Sequence, residues 1–229
     1  YCLSMGHEMT GEIAALGEGV THDAAGRPLS KGDRVAYQYF CPCGTCRSCL
    51  RGTTPRCANG LRHRYPPTEY PHFNAAYGQY YYLRRGQAVF HVPDNVPDDL
   101  AGPANCALAQ VIDGLNRSGV GIGDALVIQG AGGLGLNAVA VARDRGVSKI
   151  IVIDGVESRL ALSRDFGADE TLLLQEYPEP ADRVKRVRAL TDGWGAEIIA
   201  AKLEEGTWSG DTRVLEAATL RTLLLLRGI

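Results

Sequence analysis

The densest chemistry in the sequence is a run of four cysteines, Cys43, Cys46, Cys49 and Cys57, separated by steps of 3, 3 and 8 residues. Gly44 and Gly52 relieve the backbone between them. Two-residue spacers let successive sulfurs converge, and four thiolates on one short loop can close a tetrahedral shell around zinc with no position left for substrate. The alternative is a loop of reduced, exposed thiols open to oxidation. Cys41 and Cys2 fall outside the spacing and read as bystanders. A second group is His7-Glu8, behind Gly6. Imidazole is a good zinc ligand and a neighbouring carboxylate can orient or tune the site, although a lone histidine in a strand is more often structural. Cys106 shifts that weighing. It precedes a helix predicted to begin near Ala107, where the helix dipole is expected to favour thiolate.

A third constellation runs from Ala125 to Asp154. An apolar run, Ala125 to Gln129, leads into Gly130-Ala-Gly132-Gly133-Leu134-Gly135, a G-x-G-x-x-G. A helical stretch follows, with Leu136, Val139 and Ala140 expected on its core face, and Gly146 ends it. A second apolar run, Lys149 to Ile153, closes on Asp154, 19 residues after Gly135. Strand, glycine turn, helix, strand and acid together describe a dinucleotide site. Gly130 permits the turn, Gly132 the approach of a pyrophosphate, and Gly135 close packing of helix on strand. The helix N-terminus offers free N–H groups to phosphate, and Asp154 can accept the ribose hydroxyls of NAD. The alternative is a glycine-rich turn in some other doubly wound sheet.

The flanking elements must hold these groups. Residues 1 to about 104 read as β-rich, with strand character at Gly6–Ile13, Asp33–Phe40 and Gln79–Leu83. Thr21–Lys31 and the proline-bearing His63–His72 read as loops, the latter as a loop or lid. Leu108, Val111, Ile112 and Leu115 recur at helical spacing. After Asp154 come a helix at Ser158–Phe166, a strand at Thr171–Leu174, a helix at Asp182–Leu190 with Val184, Val187 and Leu190 facing the core, and a strand at Gly195–Ala200. Lys202–Ile229 has no clear strand–turn–helix order, so a sheet edge is expected to lie exposed near Ile199.

The totals narrow the class. A chain of 229 residues with 45% hydrophobic and 22% charged content can bury one large or two modest cores. A net charge of -2 with no basic stripe argues against a nucleic-acid partner. No apolar run approaches a membrane span, and no basic segment followed by an apolar one opens the chain. Five of the seven cysteines fall between Cys41 and Cys57, a clustering that points to metal rather than disulfides and to the cytoplasm. A four-cysteine nucleic-acid binder is disfavoured by the missing basic surface.

Gly-His-Glu, the 3-3-8 cysteine loop, Asn-Cys before an amphipathic helix and the dinucleotide unit, in that order, resemble the zinc-dependent medium-chain alcohol dehydrogenases over residues 5 to 199. The resemblance implies an α/β chain: a GroES-like β-rich catalytic domain at 1–104, incomplete at its N-terminus, and a Rossmann NAD-binding domain at 105–200 with a doubly wound parallel sheet. Residues 201–229 depart from the family pattern, like a truncated or frame-shifted end. The resemblance implies catalytic zinc at His7 and Cys106 with Glu8 beside it, and structural zinc at Cys43, Cys46, Cys49 and Cys57. It implies NAD held by Gly130, Gly132, Gly133, Leu134, Gly135, Asp154 and Arg159, with Tyr39 and Tyr77 resembling pocket walls. The implied reaction is hydride transfer between a small-molecule alcohol and NAD, by a homo-oligomer. A zinc-free reductase of the same superfamily is opposed by His7, Cys106 and the cysteine loop. The family's first zinc ligand, a cysteine upstream of Gly-His-Glu, and the Ser or Thr that relays the proton have no counterpart here. A non-catalytic zinc- or NAD-binding remnant is therefore the rival reading, and residues 1–229 alone are expected to turn over little alcohol.

Overall fold

The computed structural model describes residues 5–60, 68, 70, 72–73, 75–196, 198–201 and 224–227. The expected loop at His63–His72 falls mostly outside these residues, as does Cys2. The chain divides into two units, Tyr1–Cys106 and Ala107–Ile229.

The first unit is built on three antiparallel strands in the order β1-β2-β3: β1 (Thr10–Glu12), β2 (Arg34–Tyr37) and β3 (Val89–His91). Ile13, Leu29 and Val35 form its small apolar cluster, with Val89 against them. The strand expected at Gln79–Leu83 is not formed. Tyr80 and Tyr82 point to solvent there, and Tyr82 N–H instead bonds the Phe73 carbonyl at 2.9 Å. Two short helical pieces shape the cysteine loop, α1 (Arg47–Leu50) and a 3-10 turn (Thr54–Arg56). Late in this unit lies α2 (Asp98–Pro103), which begins after Pro97 and carries Asp98 and Asp99 in its first turn, where carboxylates suit the helix dipole. Pro103 has no N–H to continue the α-helical ladder, and the chain widens into a π turn, Ala104–Leu108.

The second unit centres on five strands in the order β6-β5-β4-β7-β8, comprising β4 (Ala125–Gln129), β5 (Lys149–Asp154), β6 (Glu170–Leu173), β7 (Ile198–Ala201) and β8 (Leu224–Arg227). All neighbours are parallel except β8, which runs antiparallel to β7. The central strands are apolar throughout because both faces are covered. Leu126, Ile128, Ile150 and Val152 pack with Val111 and Leu115 of α3 (Ala109–Ser118), Val139 and Ala142 of α4 (Gly133–Asp144), and Leu160 of α5 (Glu157–Asp165). The alternate residues Val127, Ile151 and Ile153 pack with Leu172 and with Val187 of α6 (Pro180–Leu190) on the other face.

Several sequence expectations need correction. The buried face of α4 is Gly135, Ala138, Val139 and Ala142, so Leu136 and Ala140 are not its core stripe. Ile112 and Val184 are largely exposed, at 38% and 40%. The edge expected near Ile199 is covered, since Ile199 pairs with Leu226 of β8. Residues 202–223 and 228–229 lie outside the described residues.

One polar cluster locks the first unit. The His91 ring bridges two carboxylates, with Nδ1 3.0 Å from Asp23 Oδ2 and Nε2 3.0 Å from Asp33 Oδ2. Burial pushes the Asp23 carboxyl up, but hydrogen bonds from Arg27 N–H, the His91 ring, His91 N–H and Ala25 N–H outweigh it and hold the group well below the ordinary range. Asp33 is held down by Ser30 N–H and then by His91. The two carboxylates, Asp23 before Asp33, raise the His91 pKa above its usual value. A raised histidine stabilises the fold fully below its unfolded pKa of about 6.5 and loses that contribution as pH rises through its folded value. The lowered carboxylates stabilise above their unfolded pKa of about 3.9 and fail as pH falls through their folded values. The melting temperature is therefore expected to be highest between those limits and to decline on the alkaline side. His91→Gln is expected to lower that maximum and flatten the alkaline decline; an unchanged pH profile of thermal unfolding in the variant would remove the bridge from the account.

Candidate metal and cofactor sites

Cys46 occupies the N-cap position of α1, Cys49 lies within the helix, and Cys57 follows the 3-10 turn. These two turns, together with the tight bend at Gly44, gather the four sulfurs. Sγ separations are 3.5 Å for Cys46–Cys49, 3.8 Å for Cys46–Cys57 and 4.0 Å for Cys43–Cys49. Sulfurs placed tetrahedrally about 2.3 Å from zinc lie about 3.8 Å apart, so the loop fits that metal as it stands. Cys46 N–H donates to Cys43 Sγ and Cys43 N–H to Cys57 Sγ, both at 3.3 Å. The Thr45 hydroxyl and Asn59 Nδ2 also reach Cys43 Sγ, at 3.6 and 3.7 Å. The Thr45 hydroxyl first, then Thr45 N–H, Cys46 N–H and the Cys57 thiol, outweigh burial and bring the Cys43 thiol down to about 5. Cys49 is pushed up to about 12 by burial and by sharing hydrogen bonds with Cys46 and Cys57. A metal bound here would expel protons held by this cluster. Cys41 stands apart, its thiol donating to the Arg85 carbonyl at 3.3 Å.

His7, Glu8 and Cys106 form the second cluster, with one donor atom from each lying within 4.8 Å of the others. His7 Nε2 is 3.0 Å from Cys106 Sγ. Zinc bound tetrahedrally at about 2.0 Å from nitrogen and 2.3 Å from sulfur separates the two by about 3.5 Å, so the pair needs to open by about half an ångström. The Tyr39 ring centroid lies 4.8 Å from that of His7 and walls the cluster on one side. Tyr77 is 81% exposed. A helix-start effect on Cys106 is not found. Cys106 sits inside the π turn that continues from α2, with no helix N-terminus beneath it. Burial first, then the charge and hydrogen bond of Glu8, push its thiol up to about 11. The backbone dipole therefore does not favour the thiolate here.

The dinucleotide motif occupies the turn between β4 and α4. Gly130 takes φ +102°, a left-handed value open to glycine, and its N–H bonds the Ile153 carbonyl at 2.7 Å. Gly135 is held by packing, because a Cβ there would lie 1.8 Å from the Gly130 carbonyl oxygen. A Cβ on Gly132 or Gly133 would meet nothing within 4 Å. Both stand at the start of α4, whose first-turn N–H groups have no intrahelical partner. Leu134 packs on the core below. Asp154 is buried at the end of β5. Its Oδ2 accepts from Ala131 N–H at 2.6 Å and its Oδ1 from Val156 N–H at 2.8 Å. A carboxylate has about four acceptor sites, which leaves capacity for two hydroxyls. Arg159 is exposed in the first turn of α5. The order β6-β5-β4-β7 reverses direction between β4 and β7, and in such sheets ligands bind beyond the carboxyl ends of the strands at that switch point.

Residues 1–94 match the family model described as alcohol dehydrogenase GroES-like domain, and residues 133–204 match that described as zinc-binding dehydrogenase. The chain belongs to the zinc-dependent medium-chain alcohol dehydrogenase family. It is 37% identical over 205 residues to 5-exo-hydroxycamphor dehydrogenase of Pseudomonas putida, covering 88% of this chain and 55% of that protein. It is 31% identical over 193 residues to L-threonine 3-dehydrogenase of Francisella tularensis, covering 83% of this chain and 50% of that one. The crystal structure of an alcohol dehydrogenase from Thermotoga maritima superposes with a TM-score of 0.80 at 31% identity, over 85% of this chain and 54% of that chain. The chain thus spans about half the length of the curated relatives it matches. Its architecture is a GroES-like domain followed by a Rossmann-type sheet. No described helix is long and apolar enough to cross a membrane.

Reading the sequence singled out the metal-type side chains but passed over their supports. Thr45 and Asn59, which reach Cys43, carried no spacing signal of their own, and Asn105 entered only as the residue before Cys106 in the Asn-Cys pair.

Two outcomes follow for the glycine turn. Gly135→Ala drives a methyl into a backbone carbonyl and is expected to destabilise the second unit by about 1–3 kcal/mol or more. Gly132→Ala is expected to leave denaturant unfolding unchanged and to weaken NADH binding. Equal stability of the two variants would contradict the division. At the cysteine loop, Cys46→Ala is expected to lower both zinc content by mass spectrometry and the melting temperature; a variant retaining both would argue against a structural metal.

Proposed function

We propose that this chain carries the metal-binding and dinucleotide-binding parts of an oxidoreductase that moves hydride between an alcohol and NAD. The observation that supports it most is the convergence of His7, Glu8 and Cys106 in a chain that also presents the glycine turn and Asp154. Zinc, when bound, supplies Lewis-acid polarisation of the substrate oxygen, and NAD accepts the hydride. His7 and Cys106 would hold that metal. Glu8, hydrogen-bonded to the Cys106 thiol, would tune it or complete its shell. Cys43, Cys46, Cys49 and Cys57 would hold a second zinc with no open position, so its work is structural. Tyr39 narrows the approach to His7.

At the other site the free N–H groups at the start of α4, from Gly133, Leu134 and Gly135, would receive the pyrophosphate. Gly130 and Gly132 keep side chains out of its path. Asp154 would accept the adenosine ribose hydroxyls, with Arg159 helping to hold that ribose. A small-molecule substrate fits the dehydrogenases this chain resembles; cytoplasmic location and a homo-oligomeric assembly are part of the same reading. The alcohol itself is the question for a substrate panel.

The cofactor choice tests the reading directly. Asp154 would repel a 2′-phosphate, and Gly155 beside it offers no compensating charge. NADH is expected to bind at least about tenfold more tightly than NADPH in a partly desolvated site. Fluorescence titration of both cofactors, followed by NADH formation over a panel of alcohols with His7→Ala as the control, checks it. Equal or tighter NADPH binding, or measurable alcohol turnover that His7→Ala leaves unchanged, would sink the proposal.

A further inference from the structure

The helical turn that carries Cys106 holds a second group whose placement the metal site does not by itself explain. Asn105 Nδ2 donates to the His7 carbonyl at 3.1 Å and to the Tyr37 carbonyl at 3.0 Å, across 98 and 68 residues of sequence. A primary amide nitrogen carries two N–H groups, so one atom can hold two carbonyls at once. A hydroxyl can donate only once and a carboxylate not at all. Asn105 Oδ1 is buried with no hydrogen-bond partner among the described residues. Such an acceptor costs free energy, and an apolar side chain of similar size would avoid that cost only by leaving the His7 and Tyr37 carbonyls without this donor.

The surroundings share the same geometry. Gly102, Asn105 and Cys106 stand at i, i+3 and i+4, one face of a helical turn. That face meets residues 7–9. A Cβ on Gly102 would lie 3.9 Å from Met9 Cα and N, Asn105 holds the His7 carbonyl, and Cys106 Sγ meets the His7 ring. Met9 itself is buried. Asn105 therefore ties the backbone of one donor residue directly to the residue adjoining the other. It also ties both to the end of β2, two residues before Tyr39.

We propose that Asn105 is the positioning residue of the His7–Cys106 metal site, setting the separation of its nitrogen and sulfur donors through the His7 backbone rather than by touching metal or substrate. The proposal rests on the reading of His7, Glu8 and Cys106 as a metal site. Residues supporting a ligand in this way commonly alter metal affinity by 10–100-fold when replaced.

The test uses cobalt(II) as the probe on the 229-residue chain, with absorption spectroscopy as the readout. The cobalt signal that His7→Ala removes is the signal of this site; the tetrathiolate signal of the cysteine loop is the internal control. Asn105→Ala and the isosteric Asn105→Asp are each expected to weaken cobalt binding at the His7 site by tenfold or more. The cysteine-loop signal and the far-ultraviolet circular dichroism should stay as in the parent. If His7→Ala removes a signal that both Asn105 variants keep at parental affinity, the positioning role is overturned and the metal site stands. If His7→Ala removes nothing, the metal site falls and the proposal falls with it. If both Asn105 variants lose the two cobalt signals and the circular dichroism together, Asn105 is a general fold residue and the assignment is again overturned.

Discussion

The 3.0 Å approach of His7 Nε2 to Cys106 Sγ is the constraint on which the first unit depends, because it joins residues 99 apart in sequence. No local preference can create such a contact. It requires β1, β2 and β3 to pair in register, α2 to arrive after β3, and Pro103 to open the helix into a π turn so that Cys106 presents its sulfur to residue 7. The three-stranded sheet is short and its apolar cluster small. Polar contacts carry an unusual share of the long-range organisation. Asn105 spans to His7 and Tyr37, His91 spans to Asp23 and Asp33, and Arg34 donates to the Pro93 and Val96 carbonyls and to Asp98. The last of these reaches the first residue of α2.

The cysteine loop solves a different problem. Its four sulfurs lie within 15 residues, and their convergence needs only two short helical turns. A metal bound there would substitute for the apolar core that so short a segment cannot build. The uneven proton affinities of Cys43 and Cys49 arise from the same geometry, since a sulfur receiving several N–H and O–H donors is stabilised as thiolate while a buried neighbour is not. The four sulfurs thus include groups predisposed to different protonation states, which a divalent cation bound to all of them would bring to thiolate.

The second unit is governed by packing rather than by polar spans. Its central strands are buried on both faces, and the alternation of Leu126, Val127 and Ile128 divides the core into two layers. The cofactor turn is shaped by the same tight packing. Gly135 is forced by the Gly130 carbonyl, whereas Gly132 and Gly133 face open space. One glycine motif therefore contains a position that packing forces and positions that packing leaves open. Asp154 fastens the turn through Ala131 N–H and still has acceptor capacity to spare.

The sequence by itself determined the parts whose physics is local. Cysteine spacing, the strand–glycine–helix–strand–acid order, and the run of apolar residues through β4 and β5 all follow from neighbours within about thirty positions. It also carried the family, because those local signatures occur in a characteristic order. Helix faces were less legible: α4 is rich in small and apolar residues, so more than one stripe satisfies the 3.6-residue period, and only contact with the sheet chose Ala138 and Ala142 over Leu136 and Ala140. The tertiary structure alone decided the environment of Cys106, which is a π turn beside Glu8 and not a helix start, and so reversed the expected direction of its pKa. It alone placed β8 against β7, and it alone gave Asn105 its two acceptors. Those features depend on which distant backbone groups meet, and a hydrogen-bond partner tens of residues away leaves no periodic trace in the chain.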